Sequence, residues 1–153
     1  MKGTSLADRD SVYVFKASLV GFRGVTRTIA IRSGQTLDDL HKALQWAFDW
    51  DDDHLYSFWL SGKFSDGVVT EYTSPVAAER GYRSALVRLD RLGLVKGQKI
   101  AYVFDFGDEW RVRLTLSAIR PVDDAYYPQI VASRGKSPPQ YGYEDEEELA
   151  EAG

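Results

Sequence analysis

The sequence predicts an α+β fold, a mostly antiparallel sheet with one main amphipathic helix packed on one face. Three observations carry this prediction: clean apolar alternation in "VYVFKASLV" (12–20), the same alternation in "WRVRLTLSAI" (110–119), and apolar recurrence at three- and four-residue steps over 36–48. In the first stretch Tyr13, Phe15, Ala17 and Leu19 share one face of a strand. Turn residues Gly21 and Gly24 follow, and then "VTRTIAIR" (25–32), with Ile29 and Ile31 inward, completes an antiparallel hairpin. Thr36 is positioned as a helix N-cap, its hydroxyl aimed at the Asp39 amide, with Asp38 and Asp39 suiting the positive end of the dipole. Leu37, Leu40, Leu44, Ala47 and Phe48 then form the apolar stripe. Hairpin followed by helix gives a β-grasp-like start, by analogy only.

Beyond the helix, "WDDDH" (50–54) is a polar loop and "LYSFWL" (55–60) an aromatic strand. "VVTEY" (68–72) suits a short strand. Pro75 and Gly81 bracket a possible second short helix, and 85–89 fits either type of element. Residues 121–143 hold four of the five prolines and several tyrosines, and are expected to wrap the sheet as an ordered extension.

The 153 residues fit one domain, expected over 12–143. A flexible N-terminus (1–11) precedes it, and an acidic, disordered tail (144–153) follows. The tail carries six of the 23 acidic residues, leaving 17 against 19 Lys and Arg, about +2 for the rest. That body is too close to neutral for a strong nucleic-acid footprint, so nucleic acid is not the expected partner. With no secretory signal and no bilayer-length apolar run, no membrane role and a cytoplasmic location are expected. The chain has no cysteine and only His41 and His54, which removes disulfides, thiolate zinc sites and cysteine nucleophiles. No catalytic residue, metal or cofactor is assigned.

The stretch "YVFDFGDEW" (102–110) concentrates three carboxylates, Asp105, Asp108 and Glu109, among aromatic residues. For Tyr102, Phe104 and Phe106 to share a core with Trp110, Val112 and Leu114, Phe106 must lie opposite Trp110. A three-residue loop, 107–109, then needs a left-handed residue, for which Gly107 or Asp108 is suited. This register sets Asp105 opposite Arg111 as a cross-strand ion pair on the face away from the core. His41 falls in the apolar arc of the helix, where a hydrogen-bonded core histidine is the expectation. His54 follows Asp51, Asp52 and Asp53 in a solvated loop that lacks the spacing of a calcium site.

The motifs "TLDDLHKALQWAFDWDDDHLYSF", "YVFDFGDEWRVRLTL" and "YPQ…PPQYGYED", in that order, resemble the plasmid ORF-three-like family, first named from a root-inducing plasmid. The resemblance spans roughly residues 12–145. It implies a small α+β prokaryotic protein of largely uncharacterised function, linked to plasmid or mobile-element biology. His41, His54, Asp105, Gly107, Asp108 and Trp110 match the family pattern and form the candidate signature set. Three positions depart from it: Tyr56 and Val112 stand where members often carry histidine, and 136–140 lacks their cysteines and acidic residue. These losses weaken an enzymatic reading.

The leading expectation is therefore a non-catalytic interaction or ligand-binding domain with a protein or small-ligand partner, using exposed members of the set Trp46, Trp50, Trp59 and Trp110. One alternative is a metal-dependent hydrolase or nuclease with His41, His54, Asp105 and Asp108 as ligands. Another is a DNA-associated accessory protein, to which Arg111 and Arg113 would contribute.

Overall fold

The structure, a computed structural model, describes residues 10–78 and 81–141. The expected acidic tail, nearly all of the expected flexible N-terminus, and Tyr143 lie outside the described residues. Among the described residues, seven strands form a single sheet: β1 (Ser11–Leu19), β2 (Thr26–Arg32), β3 (Tyr56–Trp59), β4 (Glu71–Thr73), β5 (Lys99–Phe104), β6 (Trp110–Pro121) and β7 (Gln129–Arg134). Their order is β4-β3-β5-β6-β1-β2-β7, and every pairing is antiparallel.

The helix content corrects the α+β expectation. Only about 14% of the described residues are helical. Among the described residues one helix exceeds a single turn, α1 (Leu37–Ala47), while α2 (Pro75–Ala78) is four residues. The architecture is a β-sheet protein. The backbone of α1 comes closest to the sheet at β2 and β7 while its side chains reach Tyr56 and Tyr102, so a single helix accompanies the sheet and does not form a helical layer of its own. Strand content exceeds the expectation because the proline-rich segment, which has no clear alternation, supplies β7. That strand pairs with the free side of β2 and continues the sheet.

Local chemistry explains the helix boundaries. Thr36 Oγ1 accepts from the Asp39 amide at 3.1 Å, and the Asp39 carboxylate accepts from the Thr36 amide at 2.9 Å, a reciprocal capping box. The next orphan amides, of Leu37 and Asp38, donate to the carbonyls of Val87 and Ala85. The ambiguous segment 85–89 thus runs as irregular backbone that closes the helix N-terminus, ahead of a 3₁₀ turn at Leu89–Arg91. No basic residue stands in the last turn of α1. Arg27 of β2 supplies the charge instead, donating from Nε to the Ala47 carbonyl at 2.8 Å with its guanidinium over the Phe48 ring.

The two sheet faces are unequal. Tyr13, Phe15, Ile29, Ile31, Tyr56, Phe58, Tyr102, Phe104, Val112 and Leu114 build the main core with the buried leucines of α1. On the other face Trp59, Ala101 and Val103 form a small cluster with Phe64 packed against it. The extension 121–143 is ordered as far as it is described, yet it does not bury all its tyrosines: Tyr126 is 93% exposed.

Candidate functional site

The β5–β6 hairpin is where the observed register departs from the expected one. Phe104, not Phe106, lies opposite Trp110, and Arg111 faces Val103. The loop comprises residues 105–109, and its left-handed residues are Asp105 (φ 64°) and Glu109 (φ 52°), not Gly107 or Asp108. Asp105 holds the turn together. Its amide donates to the Leu55 carbonyl, its carbonyl accepts from the Glu109 amide, and its Oδ1 accepts from the amides of Gly107 (3.0 Å) and Asp108 (3.3 Å). A Cβ on Gly107 would stand 3.3 Å from that same oxygen, which gives the glycine a steric reason. The positive φ at Asp105 breaks strand alternation, so the next side chain, Phe106, leaves the core and is 49% exposed. The expected Asp105–Arg111 pair is absent: Arg111 bonds Glu109 at 3.1 Å and lies over Phe64.

Asp105 faces a histidine instead. Its Oδ2 is 3.4 Å from His54 Nε2. The same nitrogen is 2.5 Å from the Tyr141 hydroxyl, which donates to Asp53 Oδ2 at 2.6 Å. Gln140 completes the group, donating to Asp53 Oδ1 and accepting from the Asp51 amide. The Tyr141 hydrogen bond, helped by a weaker contribution from Gln140, outweighs desolvation and holds the Asp53 carboxyl below its ordinary range. Hydrogen bonding to Asp53 pushes the Tyr141 phenol up to about 12. This cluster ties the C-terminal segment to the 51–54 loop and the hairpin.

His41 belongs to a second network, buried under the first. Gln45 Nε2 donates to the Tyr102 hydroxyl at 3.0 Å. Tyr102 is 2.8 Å from His41 Nδ1, and His41 Nε2 is 2.6 Å from Asp52 Oδ1. The Asp52 amide returns to Gln45 Oε1 at 2.9 Å, which closes the ring of bonds. The carboxylate can only accept, so His41 carries its proton on Nε2 and takes the Tyr102 hydrogen on Nδ1. Burial lowers the His41 pKa and outweighs the Asp52 interaction that raises it. Solvent screens Asp52, whose side chain is 44% exposed, and that is why burial wins. Burial also raises the Tyr102 phenol well above its ordinary value. His41 stacks on Tyr56, with centroids 3.6 Å apart and planes 12° apart.

Both histidine rings border Phe104, yet adjacent aspartates, Asp52 and Asp53, draw them into different networks. Asp105 joins His54 and not His41, while Asp108 contributes its amide to the turn. Among the described residues, no group of three or more His, Asp or Glu is arranged to hold a metal ion. Trp110 is half-buried against Trp50 and Phe22.

A cleft of about 330 Å³ opens beside this hairpin, on the sheet face away from the main core. Its floor is polar: Ser57, Glu71 and Thr73 from the β3–β4 pair. Its rim is apolar: Phe106, Tyr82 and Val68, all exposed. The 61–70 loop that forms one wall is pinned by Trp59 Nε1 donating to the Gly67 carbonyl at 2.9 Å. Arg83 adds bonds to the carbonyls of Val68 and Val69. None of these lining residues belongs to the signature set. Alternation in "LYSFWL" did contain a signal, since it puts Ser57 and Trp59 opposite the core aromatics; Phe106 was hidden by the assumed register.

A profile of the family described as plasmid pRiA4b ORF-3-like protein matches residues 11–148, and the chain belongs to that family. It is similar to the crystal structure of a protein of unknown function, MM3350, from Methanosarcina mazei Go1, with 27% sequence identity and a TM-score of 0.75. That likeness covers 93% of this chain and 82% of the other. No curated protein matches the chain.

Proposed function

We propose that this chain is a non-catalytic ligand-binding domain whose seat is the cleft between the β3–β4 edge and the β5–β6 hairpin tip. The observation that carries this reading is the convergence of exposed Phe106, Tyr82 and Val68 on a floor made by Ser57 and Glu71. Apolar walls with a few placed polar groups are the composition of small-molecule sites. By contrast, the polar atoms of His41 and Tyr102 are spent on each other, on Asp52 and on Gln45, and Tyr102 is buried. Trp46, the exposed member of the expected tryptophan set at 73%, does not line the cleft.

Amide-detected NMR titration with a panel of neutral and charged aromatic fragments tests the seat. At least one fragment is expected to give saturable shifts at Gly67, Ala77 and Phe106. Shifts centred on His54, Asp105 and Tyr141, or no saturable shift at the cleft, would contradict the proposal.

A further inference from the structure

We infer that the occupant of the cleft is a small organic cation, an ammonium or amidinium group on an apolar body, with its charge seated on Glu71. This rests on the binding reading above and names the ligand class. Among the described residues that line the cleft, Glu71 is the sole charged one. One of its oxygens, Oε2, accepts from Ser57 Oγ at 2.8 Å, and the Ser57 side chain is fully buried. That bond aims the carboxylate and leaves acceptor capacity unused. No Lys, Arg or His forms an ion pair with Glu71 among the described residues. Arg83, a cation close in the fold, is committed elsewhere: it donates to the carbonyls of Val68 and Val69, and its guanidinium lies 4.8 Å from the Tyr72 ring centroid.

A half-buried carboxylate with no counter-ion among the described residues favours a cationic ligand that desolvates it and completes its hydrogen bonds. The Phe106 and Tyr82 rings on the rim add faces that attract positive charge. A volume of about 330 Å³ sits at the small end of ligand pockets, commonly about 300–1,000 Å³, and suits a compact molecule.

The test compares benzylammonium with benzyl alcohol, its neutral near-isostere, by NMR titration of the full chain, and repeats both on Glu71→Gln. Benzylammonium is expected to bind about tenfold more tightly than the alcohol, as one charge-assisted contact would give. In Glu71→Gln the two affinities are expected to fall within about twofold of each other. Equal binding of both probes to the parent chain would overturn the charge assignment while leaving the cleft as a binding site. Failure of both to reach the cleft would overturn the binding reading and this inference with it. The parent-chain comparison stands alone if the variant does not fold. A third probe, Nα-acetyl-lysine methylamide, stands in for a lysine of a protein partner. Binding at least as tight as that of benzylammonium would move the occupant to a protein and overturn the small-molecule assignment.

Discussion

Phe104→Ala is expected to lower stability by about 3–5 kcal/mol, the range for emptying a fully buried phenylalanine site. For a domain of this size that is a fall in melting temperature on the order of 10 °C. The effect is large because Phe104 is an internal junction. It stacks on Trp50 at 5.4 Å and 19°, and both histidine rings lie about its edges, at 6.1 Å for His41 and 5.9 Å for His54. Its removal empties a site against which the histidines of both hydrogen-bonded networks pack. Urea or thermal unfolding of the variant checks this, and a loss below about 1 kcal/mol, the level of a surface change, would refute the packing described.

His41→Leu is expected to cost about 1–3 kcal/mol near neutral pH, because it leaves the buried Tyr102 hydroxyl without its acceptor. It should also change how stability varies with pH. Burial holds the folded His41 pKa below the unfolded value of about 6.5, so at mildly acidic pH the unfolded chain binds more protons than the folded one. The stabilising share of neutral His41 is therefore complete above about pH 6.5 and is lost as pH falls through that value toward the depressed folded pKa. Asp52 and Asp38 oppose this depression, and Lys42 reinforces it. Urea titrations at pH 7.5 and 5.5 should show the parent chain losing more stability than His41→Leu over that interval. The chains share every other titrating group, so the difference isolates His41. Parallel losses would mean that the Asp52 pair cancels burial, and a smaller loss in the parent chain than in His41→Leu would mean that the pair outweighs it.

The sequence carried much of the fold. Strict alternation placed Tyr13, Phe15, Ile29 and Ile31 inward, and all four are buried. The Thr36 cap was legible because its mechanism is local, a hydroxyl three residues from an amide. What was not legible depends on contacts distant in sequence. β7 has little internal pattern and becomes a strand only because β2 offers an unpaired edge. That strand, with only one helix longer than a single turn among the described residues, is why the balance of strand to helix departs from the expectation. Arg27 breaks an apolar face, and its burial makes sense only once the C-terminus of α1 stands beside it.

The candidate site was legible in a different way. The pattern picked out His41, His54 and Asp105, and the structure gives each a polar partner. Asp105 was assigned the wrong one, because a five-residue loop with two non-glycine left-handed positions was not the expected turn. The same error turned Phe106 inward and concealed the cleft. Aspartate tolerates a left-handed backbone better than most residues, which is the physical reason this turn can start there. In the signature "FDFGD", then, the first phenylalanine belongs to the core, the first aspartate to the turn and to His54, and the second phenylalanine to the cleft.

Phe106 serves a surface cleft and Phe104 the core. Thermal unfolding of Phe106→Ala tests this division most directly. Since Phe106 is half-exposed, the melting temperature is expected to stay within about 2 °C of the parent chain, as for a surface substitution of up to roughly 0.5 kcal/mol. A fall comparable to that of Phe104→Ala would place Phe106 in the core instead of on the cleft.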